Sequence, residues 1–435
     1  MLVSCDHRSS NGSMLLSALI VILLHITCIR SQQEPQEGEL IFAHVLYRHG
    51  DRTPVDPYPN DPWKDPSHWT TGWGQLTNAG KHRHLELGRW LRNRYQGLLQ
   101  TTYTNNEIYV RSTDVDRTLM SAESNLAGLY PPNGADVWDS AIQWQPIPVH
   151  TIPEPLDEVL SARKPCPAYD NALRKYKSSD EFQQYNKSLE PIFQYVSANS
   201  GRKIDSPTGA QFLYSCLHIE TLNNFTLPEW TKKVYPEPLR SIGARAFAIK
   251  TNTPQLARLK TGPLVKEILQ RFQDKASGKL KPDRKLWMYS AHDVTVANLL
   301  NTLQLFELHN PPFAACVLLE LYRTGNSNAP YVSIYYKNTT AEPEPLYIPN
   351  CGQRCPLDQM SKVYQDIIPD NWQHECQVPF LSLTYVEADM RSSTGLIGII
   401  FLTTVAILLV LLGLMAYRKR RSGYHNDKWY LRIDG

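Results

Sequence analysis

A chain of 435 residues is long enough for about two or three domains and a sizeable core. Charged residues make up 20% and the formal net charge is +3, which argues against a nucleic-acid binder and against a long acidic tail. The electrostatics that matter must be local.

Near the N-terminus, Met14 to Ile29 (MLLSALIVILLHITCI) is short, apolar and followed by the polar RSQQEPQEGE. It predicts a signal peptide over residues 1–31, cut near Ser31; a signal anchor is the alternative, because MLVSCDHRSSNGS is long and weakly basic for the leading region. Leu40 to Tyr47 then reads as a buried strand broken only by His44, and it stops at Arg48-His49-Gly50-Asp51-Arg52. The proline-rich loop that follows carries Trp63, Trp69 and Trp73, rings expected to pack the loop down rather than bind a ligand. Glu107 to Val110 is a second strand, ending at Arg111-Ser112-Thr113-Asp114 before a helix with a good capping start in VDRTLMSAESNLAGLY.

From about Val149 to Thr253 the texture changes to helices with charged faces, read as a mostly helical insert or cap domain over residues 149–253. TPQLARLKTGPLVKEILQRFQDKAS predicts one long amphipathic helix returning to the α/β domain, whose two parts are placed at 32–148 and 254–390. Leu286 to Tyr289 is a third strand, stopping at Ser290-Ala291-His292-Asp293 before the helix-like VTVANLLNTLQLF; PPFAACVLLELYR and YVSIYYKN supply further strands near the edge. Gly395 to Tyr417 is uncharged and long enough for a bilayer core of ~30 Å. Arg418, Lys419, Arg420 and Arg421 place its far flank in the cytosol, predicting a type I protein with a tail over 418–435.

Without the signal, Cys5 and Cys28 are gone and six cysteines remain before the span: Cys166, Cys216, Cys316, Cys351, Cys355 and Cys376. An even number in a lumenal domain favours disulfides; a zinc site on Cys351 and Cys355 is the competing reading, with no histidine pair at ligand spacing beside it. Glycosylation sequons occur at Asn186, Asn224 and Asn338, and a further match at Asn11 leaves with the signal.

Three strands thus end in polar clusters, and in open α/β sheets ligands bind outside the carboxyl ends of strands. Arg48, Arg52 and Arg111 cannot lose their charge, and their planar forks match phosphate oxygens. Their charge also disfavours imidazolium, so His49 is expected to stay neutral and nucleophilic in acid. Asp293 is the expected proton donor to the leaving alcohol and then the base for water, with charge from the arginines, and from His292 when protonated, standing where other phosphatases use metals. No cofactor is expected. A helix N-cap is the plain structural alternative for Asp293.

RHGDRTP (Arg48–Pro54), RSTDVDRTL (Arg111–Leu119) and YSAHD (Tyr289–Asp293), in this order over nearly the whole ectodomain, together resemble the histidine acid phosphatases of the lysosomal and prostatic type. RHG alone also opens the phosphoglycerate mutases; the three together are specific. The resemblance implies an open α/β sheet sandwiched by helices with a smaller α-helical cap, and a homodimer. It implies hydrolysis of phosphate monoesters through a phosphohistidine on His49, with Arg48, Arg52, Arg111 and His292 holding phosphate and Asp293 donating the proton. It also implies the disulfides Cys166–Cys376, Cys216–Cys316 and Cys351–Cys355. The apolar C-terminal segment matches the lysosomal branch, so a lysosomal membrane with a lumenal catalytic domain is the expected location, with the plasma membrane, or release into the lumen or extracellular space, as alternatives. In the tail, Tyr430-Leu431-Arg432-Ile433 fits a tyrosine-based sorting signal, and Tyr424 is a second candidate spoiled by Asp427. Alternatives with the same site are an inositol-polyphosphate or lysophospholipid phosphatase; a different class is a catalytically inactive surface receptor.

Overall fold

A computed structural model describes residues 38–325, 329–378 and 401–418, in two units, residues 1–376 and 377–435. The signal segment, Asn11, residues 395–400 and the Tyr424 and Tyr430 motifs lie outside the described residues.

The first unit is built on a mixed sheet. Its strands are β1 (Glu39–Arg48), β2 (Ile108–Thr113), β3 (His150–Ile152), β4 (Leu286–Ala291), β5 (Cys316–Arg323), β6 (Pro330–Lys337) and β7 (Cys355–Pro356). They lie side by side in the order β3-β2-β4-β1-β5-β6-β7. β1, β2, β3 and β4 run parallel, and β5 turns antiparallel to β1. The carboxyl ends of β1, β4 and β2 therefore share one edge, with Arg48 opposite Ala291 and Ser112 opposite Ser290.

β1 reads as an unbroken apolar run because both of its faces are covered. Ile41, Phe42 and Leu46 join a core with Leu264, Ile268 and Phe272, while Ala43, Val45 and Tyr47 join another with Leu87, Leu91 and Leu126. His44 sits within the first core, edge-on to the rings of Phe42 and Phe272, where burial drives its pKa well below the usual value.

The helices are α1 (Asn78–Arg94), α2 (Asp116–Leu129), α3 (Pro167–Lys177), α4 (Asp180–Ser188), α5 (Glu190–Ser200), α6 (Pro207–Leu222), α7 (Leu239–Ala248), α8 (Pro254–Lys260), α9 (Gly262–Ala276), α10 (Asp293–Thr302), α11 (Leu357–Val363) and α12 (Trp372–Glu375). α1 and α2 supply Leu87, Leu91 and Leu126 to one face of the sheet, and α9 supplies Leu264, Ile268 and Phe272 to the other. The expected helical stretch does hold α3 to α7, with a core of its own that includes Phe193, Val196, Leu213, Leu217 and Ile242. Its first residues, however, form β3, which pairs with β2.

Two further expectations are corrected. The single helix over 254–276 is two helices, because Pro263 lacks the N–H that would continue α8, and Gly262 lies so close to Ile367 that an added Cβ would meet its carbonyl at 2.4 Å. The capping start of α2 is absent: its N-cap is Val115, with no side-chain cap bond. The tryptophan expectation holds, since Trp63 stacks on Phe225 at 4.6 Å and Trp69 donates to the Trp63 carbonyl at 2.8 Å.

Disulfides join Cys166 to Cys376 and Cys351 to Cys355. The pairing of Cys216 with Cys316 is not formed, and both are buried free thiols. Cys216 lies on α6 in the helical core, where it donates to Glu220 Oε1 at 3.3 Å, whereas Cys316 lies in the core beneath α1 and α2.

In the second unit, Phe401–Arg418 is a helix of 18 residues with mean hydropathy 2.0, long and apolar enough to cross a membrane.

Candidate active site

The end of β1 is fixed by backbone on all sides. Arg48 N donates to Ala315 O and His49 N to Ala291 O, both at 2.9 Å, while His49 O accepts from Ala314 N at 3.2 Å. The next residue must be glycine: a Cβ on Gly50 would lie 2.4 Å from the Gly80 carbonyl, and one on Gly80 would lie 2.3 Å from the Asp51 carbonyl. This mutual approach, tied by Thr77 N to Asp51 O at 2.9 Å, pins the start of α1 against the loop after β1.

His49 is almost wholly buried, and its Nδ1 lies 2.8 Å from the Gly50 carbonyl. A carbonyl only accepts, so Nδ1 carries the hydrogen and Nε2 of the neutral ring keeps its lone pair. Burial lowers the His49 pKa well below the usual histidine value, and the charges of Arg48, Arg52, Arg117 and His292 lower it further. The expectation that surrounding arginines keep His49 neutral is thus met in direction, with burial as the larger cause.

Arg48 is held on three sides. Its Nη1 donates to the Pro311 carbonyl at 2.5 Å, its Nη2 lies 3.0 Å from Asp293 Oδ2, and its guanidinium carbon sits 4.0 Å over the Phe313 ring. Arg52 donates to Thr53 O at 3.0 Å and reaches Ser215 on α6 at 3.4 Å; burial and then Arg48 lower its pKa to about 9, which leaves it charged in acid.

His292 caps α10, its Nε2 lies 3.0 Å from Thr113 Oγ1, and its ring is 5.7 Å from that of His49. Burial and then Arg117 lower its pKa to about 3. It is therefore a neutral hydrogen-bonding group over most of the acid range, and the charge it would supply when protonated is not available there.

Asp293 is the first residue of α10, not its cap, and its Oδ1 accepts from Val294 N at 2.7 Å. Burial pushes its pKa up, but Arg48, Arg52 and His292 outweigh it and the net shift is downward. The resting group is a carboxylate.

Arg111 is not brought to this cluster. Its Nη2 donates to Asp157 Oδ1 at 2.5 Å and its Nη1 lies 3.7 Å from Glu267, so its fork is taken by carboxylates. The arginine that the sequence reading missed is Arg117, in the first turn of α2: its charge depresses the pKa of both His49 and His292, and its Nε is buried without a partner. RSTDVDRTL carries both arginines, six residues apart, and the strand pattern points to the one at the strand end.

The cluster opens onto a cavity of about 520 Å³ lined by Arg48, Asp293, His218, Arg240, Phe247 and Phe313. Among the described residues, Asp61, Cys216 and Glu220 form a buried group of metal-ligand types within 4.8 Å of one another, and none of the three lines this cavity.

A histidine whose Nε2 is free among three arginines, with a carboxylate beside it, is an arrangement for taking a phosphoryl group. The chain belongs to the histidine phosphatase superfamily, branch 2, whose family model matches residues 39–337. It is 38% identical over 399 residues to lysosomal acid phosphatase of Xenopus laevis, covering 91% of this chain and 90% of that one. It is 38% identical to prostatic acid phosphatase of Homo sapiens, over 78% of this chain and 88% of that one, and 36% identical to the human lysosomal acid phosphatase, over 92% and 94%. Among solved structures, Hafnia alvei phytase in complex with tartrate shares the fold with a TM-score of 0.60 at 20% identity, covering 79% of this chain and all of that one.

Proposed function

We propose that this protein is an acid phosphatase that hydrolyses phosphate monoesters through a phosphohistidine on His49. The observation that carries this reading is the Nδ1 bond of His49 to the Gly50 carbonyl, which leaves Nε2 as the nucleophile among Arg48, Arg52 and Arg117.

The three arginines and His292 bind the phosphate group. Its negative charge then lies beside Asp293 and raises that carboxyl's pKa, since like charges sharing a site disfavour ionisation of both. Asp293 takes up a proton in acid as the substrate binds. Nε2 forms a bond to phosphorus while the bond from phosphorus to the ester oxygen breaks, and Asp293 gives its proton to the departing alcohol. Water then attacks phosphorus, Asp293 receives the proton of that water, and the N–P bond breaks to return the lone pair to Nε2.

The close relatives named as lysosomal and the apolar helix at 401–418 support a type I protein of the lysosomal membrane, with the first unit in the lumen. That topology includes a cleaved signal over 1–31. It makes Asn224 and Asn338, both exposed, the better glycan acceptors; the Asn186 side-chain amide is half-buried and donates to Asp205 O at 3.3 Å.

The deciding experiment is hydrolysis of p-nitrophenyl phosphate by the full chain in detergent, at acidic pH with chelator, against His49→Ala. Turnover that vanishes in the variant, with a phosphorylated His49 trapped by alkaline quench, is expected. A folded wild type without turnover overturns the reading.

A further inference from the structure

We propose that a second cavity, beside Asp293, is an anion subsite built by Lys250, Lys260, Arg163 and Lys164, which gives preference to esters that carry a second phosphate. The inference rests on the phosphatase reading and names its substrate class.

The cavity measures about 700 Å³ and is lined by Val294 and Thr295, the residues that follow Asp293 on α10. Lys250, just past α7, and Lys260, at the end of α8, enter it from the helical side, while Arg163 and Lys164 come from the segment before α3. The carboxylates on its wall are Glu154 and Asp170. Arg163 is paired with Glu154 at 3.0 Å, and Lys164 with Glu158 at 3.4 Å. The two lysines have no ion pair among the described residues. Lys260 Nζ donates to the Ala162 carbonyl at 2.6 Å and lies 5.1 Å over the Tyr169 ring. Lys250 Nζ has no hydrogen-bond partner among the described residues, although the side chain is half-buried.

A half-buried ammonium without an anion carries a desolvation cost that a bound anion offsets. Burial lowers the pKa of Lys250, the Asp293 carboxylate raises it, and Arg163 and Lys177 lower it. Burial, Lys250 and Arg163 bring Lys260 to about 8, while Asp170 opposes them. Lys260 is therefore cationic at acidic pH. Lys250 lies within electrostatic reach of Asp293, and Arg163 within reach of His292 and Arg117. A substrate with one phosphate on the arginines thus has a cationic wall next to it for the other.

The test compares alkanediol monophosphates and bisphosphates of three to six carbons as substrates of the full chain and of Lys250→Gln/Lys260→Gln. The wild type is expected to favour one bisphosphate over its monophosphate by about tenfold in kcat/KM, as one charge-assisted contact contributes. The double variant is expected to abolish that ratio through KM while p-nitrophenyl phosphate turnover persists. A ratio near one in the wild type, or one unchanged in the variant, overturns the subsite. Should the protein turn over no ester, the phosphatase reading fails, and the subsite is then judged by calorimetry with propane-1,3-bisphosphonate against propylphosphonate. Tighter binding of the bisphosphonate that is lost in the variant supports it, and equal affinities overturn it.

Discussion

Arg48 Nη2 and Asp293 Oδ2 lie 3.0 Å apart, one from the end of β1 and the other from the start of α10, and each is largely buried. In the proposed mechanism the contact joins the phosphate-binding and proton-transferring halves of the site, and it sets them in competition, since Asp293 occupies a guanidinium that would bind the substrate. Asp293→Asn is expected to lower kcat by about 10²-fold or more, the usual contribution of a positioned general acid. The same variant is expected to bind inorganic phosphate more tightly, because a negative charge beside Arg48 is gone. Inhibition constants for phosphate measured on both proteins check this; weaker phosphate binding in the variant would refute it.

Arg111 and Arg117 are predicted to behave differently. Arg117→Ala removes a charge that faces His49 and should raise KM for p-nitrophenyl phosphate with little change in melting temperature. Arg111→Ala leaves Asp157, which is fully buried, without its cation. Breaking such a pair costs about 3–5 kcal/mol, so denaturant unfolding should show a large loss of stability. Equal stability losses in the two variants would contradict these assignments.

The thiols of Cys216 and Cys316 should be alkylated only after unfolding, without any reductant. Peptide mass spectrometry reads both sites directly. Recovery of a peptide linking the two would mean that the bond forms.

Glu220 is fully buried beside Asp61, and burial, then the charge of Asp61, push its pKa up to about 8. The folded state thus keeps a proton that the unfolded chain has released above the usual carboxylate range of about 4.3. With more protons bound when folded, the contribution of Glu220 to stability is fully present below the usual carboxylate range and is lost as pH rises through about 8. Glu220→Gln should flatten the melting temperature across that range. An equally sloped profile in the variant would assign the dependence to other groups.

The sequence made the three strand ends legible because each apolar run stops abruptly at its polar cluster, and His49, His292 and Asp293 do converge. It did not separate Arg111 from Arg117, since periodicity locates strand ends but does not say which side chain turns back from the first turn of the next helix. The same limit hid the partners of Arg111: Asp157 and Glu267 lie 46 and 156 residues away, and nothing local marks them. Cysteine count suggested a full set of bridges, yet pairing depends on which core each thiol enters, and Cys216 and Cys316 enter different ones.

The Cys166–Cys376 bond spans 210 residues and closes just before the boundary between the two units. A protease that nicks any loop inside that span produces two fragments still fastened to each other, so such a cut alone leaves both pieces joined to the segment that carries the apolar helix. Separating the first unit from that helix in one piece requires a cut after Cys376 and before Phe401, a window of about two dozen residues.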